Sequence, residues 1–192
     1  TSRRQRQMCI RDRYVGGWPY GYASFRLDLT PYIKAGQKNV LAIRLDNPDD
    51  TSRWYPGSGI YRNVWLVKTS PVHVEQWGTF VRNQQVDSEI AVMEMGVNIE
   101  NHAGKDVQVK LQTSVYLQGK DGRPVGEEVT QSMTKDIAIK KDSWSSARFQ
   151  FKVDKPKLWD IDTPNCYVAV SRVFMDGKEM DSYETVSYTH LR

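Results

Sequence analysis

The sequence predicts an all-β chain, a partial antiparallel sandwich followed by a second, complete one. Three observations predict it. Apolar residues recur with period two, no window sustains them at helical spacing, and turn signals return every 8 to 15 residues. Many short strands separated by turns build antiparallel sandwiches rather than parallel sheets.

The two ends are set apart first. Met8 to Asp12 (MCIRD) can be encoded by ATG TGT ATA AGA GAC, and the reverse complement, GTC TCT TAT ACA CAT, translates as Val-Ser-Tyr-Thr-His, which is Val186 to His190. One DNA element in opposite orientations accounts for both. It resembles the mosaic end of a transposon-based sequencing adapter, and Arg3 to Gln7 (RRQRQ) looks like the adjoining primer in the same frame. Thr1 to Arg13 and Val186 to Arg192 are therefore expected to be foreign and are set outside the fold.

Charge changes with that exclusion. The ends hold 6 of the 27 Lys and Arg but only Asp12 of the 23 Asp and Glu, leaving 21 against 22 and a net charge of −1. A near-neutral body gives no electrostatic reason to expect a nucleic-acid or membrane partner. With Cys9 set aside, Cys166 stands alone, so no disulfide or cysteine metal cluster is expected. No apolar run approaches the roughly 18 residues of a membrane span. Compartment stays open; a periplasmic or secreted parent is a guess.

Within Tyr14 to Ser70, Asn39 to Asp46 (NVLAIRLD) and Asn63 to Val67 (NVWLV) read as strands. Between them lies Ser52 to Arg62, SRWYPGSGIYR. Pro56, Gly57 and Gly59 bend it tightly, and Arg53, Trp54 and Tyr55 stand just before the bend. Aromatic faces beside a guanidinium suit a sugar ring, whose C–H groups stack while its hydroxyls accept from Arg. The same residue types also serve domain interfaces and cores. The segment's 57 residues hold about four strands, too few to cover their own edges, so it reads as the tail of a larger sandwich.

Thr69-Ser70-Pro71 marks the boundary, because proline cannot donate to a ladder. Beyond it a new element starts at Val72. Ile90 to Ile99, Val107 to Leu117, Thr134 to Ile139, Ala147 to Val153 and Tyr167 to Phe174 follow as strands, with hairpin signals at Lys120-Asp121-Gly122-Arg123 and Asp176-Gly177. About seven strands in some 112 residues match an immunoglobulin-like sandwich in architecture, without the paired cysteines of antibody domains.

Four motifs in order carry a family resemblance. Tyr20 to Tyr32 (YGYASFRLDLTPY), Gly36 to Asp46 (GQKNVLAIRLD), Ser52 to Leu66 (SRWYPGSGIYRNVWL), and Pro156-Lys157-Leu158-Trp159 with Thr163-Pro164 together resemble glycoside hydrolase family 2, especially its β-galactosidases. The resemblance covers nearly all of Tyr14 to Thr185. It implies the C-terminal part of a galactose-binding-like jelly-roll domain (14–70), then the immunoglobulin-like domain (71–185) that leads into a catalytic TIM barrel beyond this chain.

Members of that family are retaining glycosidases, so the resemblance implies a carboxylic acid and a carboxylate nucleophile about 5 to 5.5 Å apart on barrel strands. No residue here takes either role, and no cofactor is expected. Glu94 and Glu100 share one predicted strand and read as solvent-facing. Asp49-Asp50 reads as a solvated turn, and His73 and His102 lie in different elements without a third ligand or a nearby Cys, so no metal site is expected there. The resemblance instead points to the loop: Arg53, Trp54, Tyr55 and Ser58 would lie near substrate at the barrel mouth, with Tyr61 and Arg62 as buttresses. Some members carry an acidic residue near this point that helps hold sodium; this chain has Arg53, and no metal is carried over. The expected partners are the barrel of the parent chain and a galactoside-type sugar. Two alternatives stay open, a β-glucuronidase or β-mannosidase of the same family and a free-standing carbohydrate-binding or adhesion protein.

Overall fold

Alternation is strictest in the second half of the chain, and there it builds the core. The computed structural model describes residues 6–10, 12–46 and 59–187, and the described residues contain strands and turns but no helix. Two compact units form, Thr1–Leu66 and Val67–Arg192, whereas the sequence places its boundary at 70/71.

In the second unit, β4 (Val72–Val86), β5 (Ile90–Asn101) and β9 (Ser143–Asp154) make one antiparallel sheet in the order β4-β5-β9. The other sheet joins β6 (Val107–Gln118), β7 (Pro124–Val125), β8 (Met133–Ile139), β10 (Tyr167–Met175) and β11 (Lys178–Ser187). Its order is β11-β10-β6-β7, with β8 also on β6. Ala91, Met93, Met95, Val97 and Ile99 alternate inward along β5 and meet Phe149 and Phe151 of β9 and Val109, Leu111 and Ile139 of the facing sheet, all buried. Each such side chain contributes on the order of 1.5–3 kcal/mol when withdrawn from water. Two packed antiparallel sheets around one core are the predicted sandwich.

Side chains tie the sheets at one margin. The Asp181 carboxylate accepts the Val74 N–H at 2.9 Å, the Tyr183 hydroxyl accepts the Trp77 N–H at 3.2 Å, and Thr185 donates to Thr79 at 2.8 Å. These bonds bridge β4, where its ladder is interrupted between Val74 and Thr79, to β11. Buried Asn101 ends β5: its amide donates to the carbonyls of Lys105, Lys140 and Ile139, and its oxygen accepts the Ala103 N–H. The predicted hairpin at Asp176-Gly177 has both residues at positive φ, 52° and 76°, as a type I′ turn requires.

In the first unit, β1 (Arg6–Ile10) lies between β2 (Arg13–Trp18) and β3 (Leu41–Leu45). Sequence analysis set β1 outside the fold, yet it pairs on both sides, and its Ile10 is buried. Met-Cys-Ile is an apolar stretch that fits a ladder whatever its origin. At the other end β11 runs on through Val186 and Ser187, also set outside the fold on sequence grounds.

One predicted strand is corrected. Asn63 to Val67 forms no ladder with any described strand, and Trp65 and Leu66 are each 78% exposed. Its composition favours a strand, but a strand needs an edge to pair with.

Candidate functional site

The predicted site residues Arg53, Trp54, Tyr55 and Ser58 lie outside the described residues, as do Asp49 and Asp50. The structure describes the root from which the loop returns, Gly59 to Arg62, and the scaffold of the same unit beside it. Gly59 takes a φ of 128°, a conformation side-chain-bearing residues avoid. Two residues on, the Tyr61 ring stands edge-on to Tyr22 with centroids 6.5 Å apart, and Tyr22 stands edge-on to Tyr20 at 5.8 Å. The Arg62 guanidinium sits 5.4 Å over the Tyr61 ring. All four side chains are exposed.

The motif residues around this cluster hold turns. Asp28 accepts the Thr30 N–H at 2.8 Å, and the amides of Tyr32 and Ile33 bond to the Leu29 carbonyl, closing the Asp-Leu-Thr-Pro-Tyr turn. Asn39 accepts the Lys34 N–H at 3.0 Å and donates to the carbonyls of Lys34 and Gln37, clamping the turn around Gly36, whose φ is 73°. Trp18 and Phe25 stack in parallel, with centroids 6.0 Å apart. These bonds fix the chain on either side of Tyr20 and Tyr22 and lead it into β3, from which the loop departs. Tyr20 and Tyr22, quoted only as part of a motif at the sequence level, are joined to Tyr61 by a turn at Gly21 and Tyr22; the signal was the Tyr-Gly-Tyr run, in which glycine between two aromatics marks a turn.

No glycosidase pair is found among the described carboxylates considered above. Glu94 and Glu100 sit six residues apart on β5, about 20 Å at strand rise, far beyond the separation a retaining pair needs. Glu94 is bound by Arg148 at 3.4 Å and Gln84 at 3.2 Å, while Glu100 meets His73 and His102, each at 3.4 Å. The sequence spacing of the two histidines concealed that meeting: residue 73 pairs across the ladder with 100, and 102 follows 100 on the same face.

Perturbed ionisations in the second unit have structural causes. The backbone and hydroxyl of Thr163 hold the Asp160 carboxyl below the ordinary aspartate range, and Lys140 does the same for Asp106. Burial pushes the Tyr167 phenol up, and its oxygen accepts the Lys157 N–H at 2.8 Å. A small apolar gap of about 20 Å³ lined by Met93, Met95, Phe151 and Tyr167 lies in the sandwich core. It has no room for a sugar.

Comparison with known proteins places this geometry. Residues 72–187 match the family described as Glycosyl hydrolases family 2. The chain is 44% identical over 172 residues to the beta-galactosidase BoGH2A of Bacteroides ovatus, an alignment covering 89% of this chain and 19% of that protein. A putative beta-glucuronidase of Formosa agariphila is 31% identical over 185 residues, covering 95% of this chain and 16% of its own length. Among solved structures, a glycosyl hydrolase family 2 member from Bacteroides cellulosilyticus superimposes with a TM-score of 0.87 at 30% identity, over 97% of this chain and 25% of that one. The chain thus spans about a sixth to a quarter of the length of these relatives.

Proposed function

The chain belongs to family 2 of the glycosyl hydrolases, and on that footing we propose that it is the non-catalytic accessory part of a retaining β-galactosidase. The observation that carries the reading is 44% identity to a β-galactosidase across 89% of the chain, against 31% to a putative beta-glucuronidase of Formosa agariphila across 95% of it. In this reading the parent supplies both catalytic glutamates from a TIM barrel, the chain's natural partner. The loop bearing Arg53, Trp54, Tyr55 and Ser58 contributes one wall of the pocket for a terminal β-galactoside. The exposed Tyr20, Tyr22, Tyr61 and Arg62 at the loop's root support a sugar-facing role, since rings and a guanidinium are what a hydroxylated ring stacks on and donates around. No cofactor is needed for the chemistry proposed.

The test is hydrolysis by the full-length parent of aryl β-galactoside, β-glucuronide and β-mannoside. A kcat/KM highest for the galactoside supports the reading; a glucuronide or mannoside preferred by tenfold or more moves the parent to another activity of the same family. Calorimetry of the chain alone with galactosides is expected to show no binding, because a pocket built by two domains loses most of its contacts with one wall removed. Saturable binding there would favour a free-standing carbohydrate-binding protein.

A further inference from the structure

We propose that His73, Glu100 and His102 form a binding site for a borderline divalent transition-metal ion, with zinc as the natural candidate. The topology assembles it. His73 on β4 is directly opposite Glu100 on β5, and His102 lies two residues beyond Glu100, so all three occupy the outer face while Val72, Ile99 and Asn101 fill the interior. The His102 N–H donates to the Pro71 carbonyl at 2.8 Å, keeping the chain in register past the end of β5.

The donor atoms already have the right spacing about the carboxylate. Nε2 of His73 and Nε2 of His102 each lie 3.4 Å from the same Glu100 oxygen, Oε2. Neighbouring ligands on a tetrahedral zinc ion, bound at about 2.0–2.2 Å, are about 3.3–3.5 Å apart. Second, Nδ1 of His73 is 2.9 Å from the Ser70 carbonyl. A carbonyl only accepts, so Nδ1 carries a hydrogen and Nε2 is the nitrogen that faces the carboxylate. An imidazole held by a backbone carbonyl through its other nitrogen is also the usual outer arrangement of a histidine ligand.

No three such side chains among the described residues enclose an ion as they stand. Closure therefore falls to His102, whose side chain is 59% exposed, against 15% for His73 and 23% for Glu100. Its ring lies 5.9 Å from that of His73, and a side-chain rotation brings the second nitrogen onto the ion. Two imidazoles and one carboxylate select zinc, copper or nickel over magnesium and calcium.

The test is calorimetric titration of the chain with zinc chloride, with magnesium and calcium chloride as controls. Saturable 1:1 zinc binding is expected, absent for the two hard ions. His102→Ala, at an exposed position, should weaken it at least about tenfold, and Glu100→Gln likewise. His73→Ala should do the same, and the zinc-induced rise in melting temperature should shrink in parallel for all three variants. No saturable zinc binding would overturn the site and leave these contacts as bonds of the two histidines to Glu100 alone. So would zinc binding that survives both His73→Ala and His102→Ala, which would place the ion elsewhere in the chain.

Discussion

At the scale of single residues, chemistry and architecture are carried by different side chains. Asp28 and Asn39 stand inside the motifs that signal the family, and their oxygens and amide are spent on backbone turns rather than on substrate. Side chains that bond to backbone two to five residues away are turn builders. This leaves Arg53 and Trp54 as the residues whose types no turn explains. In the full-length parent, Arg53→Ala and Trp54→Ala are expected to lower kcat/KM roughly 10- to 100-fold by loosening substrate positioning, with the fold intact. Unchanged steady-state kinetics would assign both to packing. Asn101 is the opposite kind of residue. Its buried amide serves three carbonyls, so Asn101→Ala leaves them unpaired and is expected to cost about 1–3 kcal/mol in urea denaturation of the sandwich. A loss under about 0.5 kcal/mol would show that water replaces the amide.

At the scale of elements, the strands of the sandwich were legible because buried alternation leaves its trace in composition. β5, β6, β9 and β10 were read within a few residues, and both hairpin signals turn where Gly allows positive φ. β11 was implied only as the far arm of the Asp176-Gly177 hairpin and given no bounds, because KEMDSYETVS is an edge strand whose inward positions are partly filled by Asp181, Tyr183 and Thr185, polar groups that bond across to β4. The run Asn63 to Val67 erred the other way: its residues favour a strand, but pairing depends on a partner that local composition does not reveal.

The turn after β9 makes a pH-dependent prediction. Asp160 accepts from the Thr163 N–H at 2.7 Å, the Thr163 hydroxyl at 2.9 Å and the Asp162 N–H at 2.8 Å, which hold its carboxyl below the ordinary range of about 3.8. Since the folded value is lower than the unfolded one, the turn's support is present above pH about 4 and is lost as pH falls through the folded value. The protection factor of the Thr163 amide, its exchange measured against that of the unstructured chain at the same pH, is expected to fall on acidification in that window and to lose this dependence in Asp160→Asn. A protection factor that stays flat with pH in the natural sequence would contradict the assignment.

At the scale of the whole molecule, the two units differ in how far they are finished. The sandwich of Val67–Arg192 closes two sheets on a continuous core. In Thr1–Leu66 a three-stranded sheet accompanies exposed Tyr14, Tyr20, Val64, Trp65 and Leu66, more open apolar surface than so small a unit offsets. Expressed alone, the chain is expected to give dispersed amide resonances for the sandwich and broad or collapsed ones for residues 14–70. Sharp, fully dispersed signals from 14–70 would show that the first unit is complete in itself.

Under the proposed function, this chain provides one wall of a glycosidase site whose catalytic groups lie on a barrel elsewhere in the parent. Reading the natural gene beyond codon 185 tests that most directly. The account predicts an open frame continuing into a barrel domain with glutamates at the ends of two strands; a stop codon soon after the sandwich would contradict it.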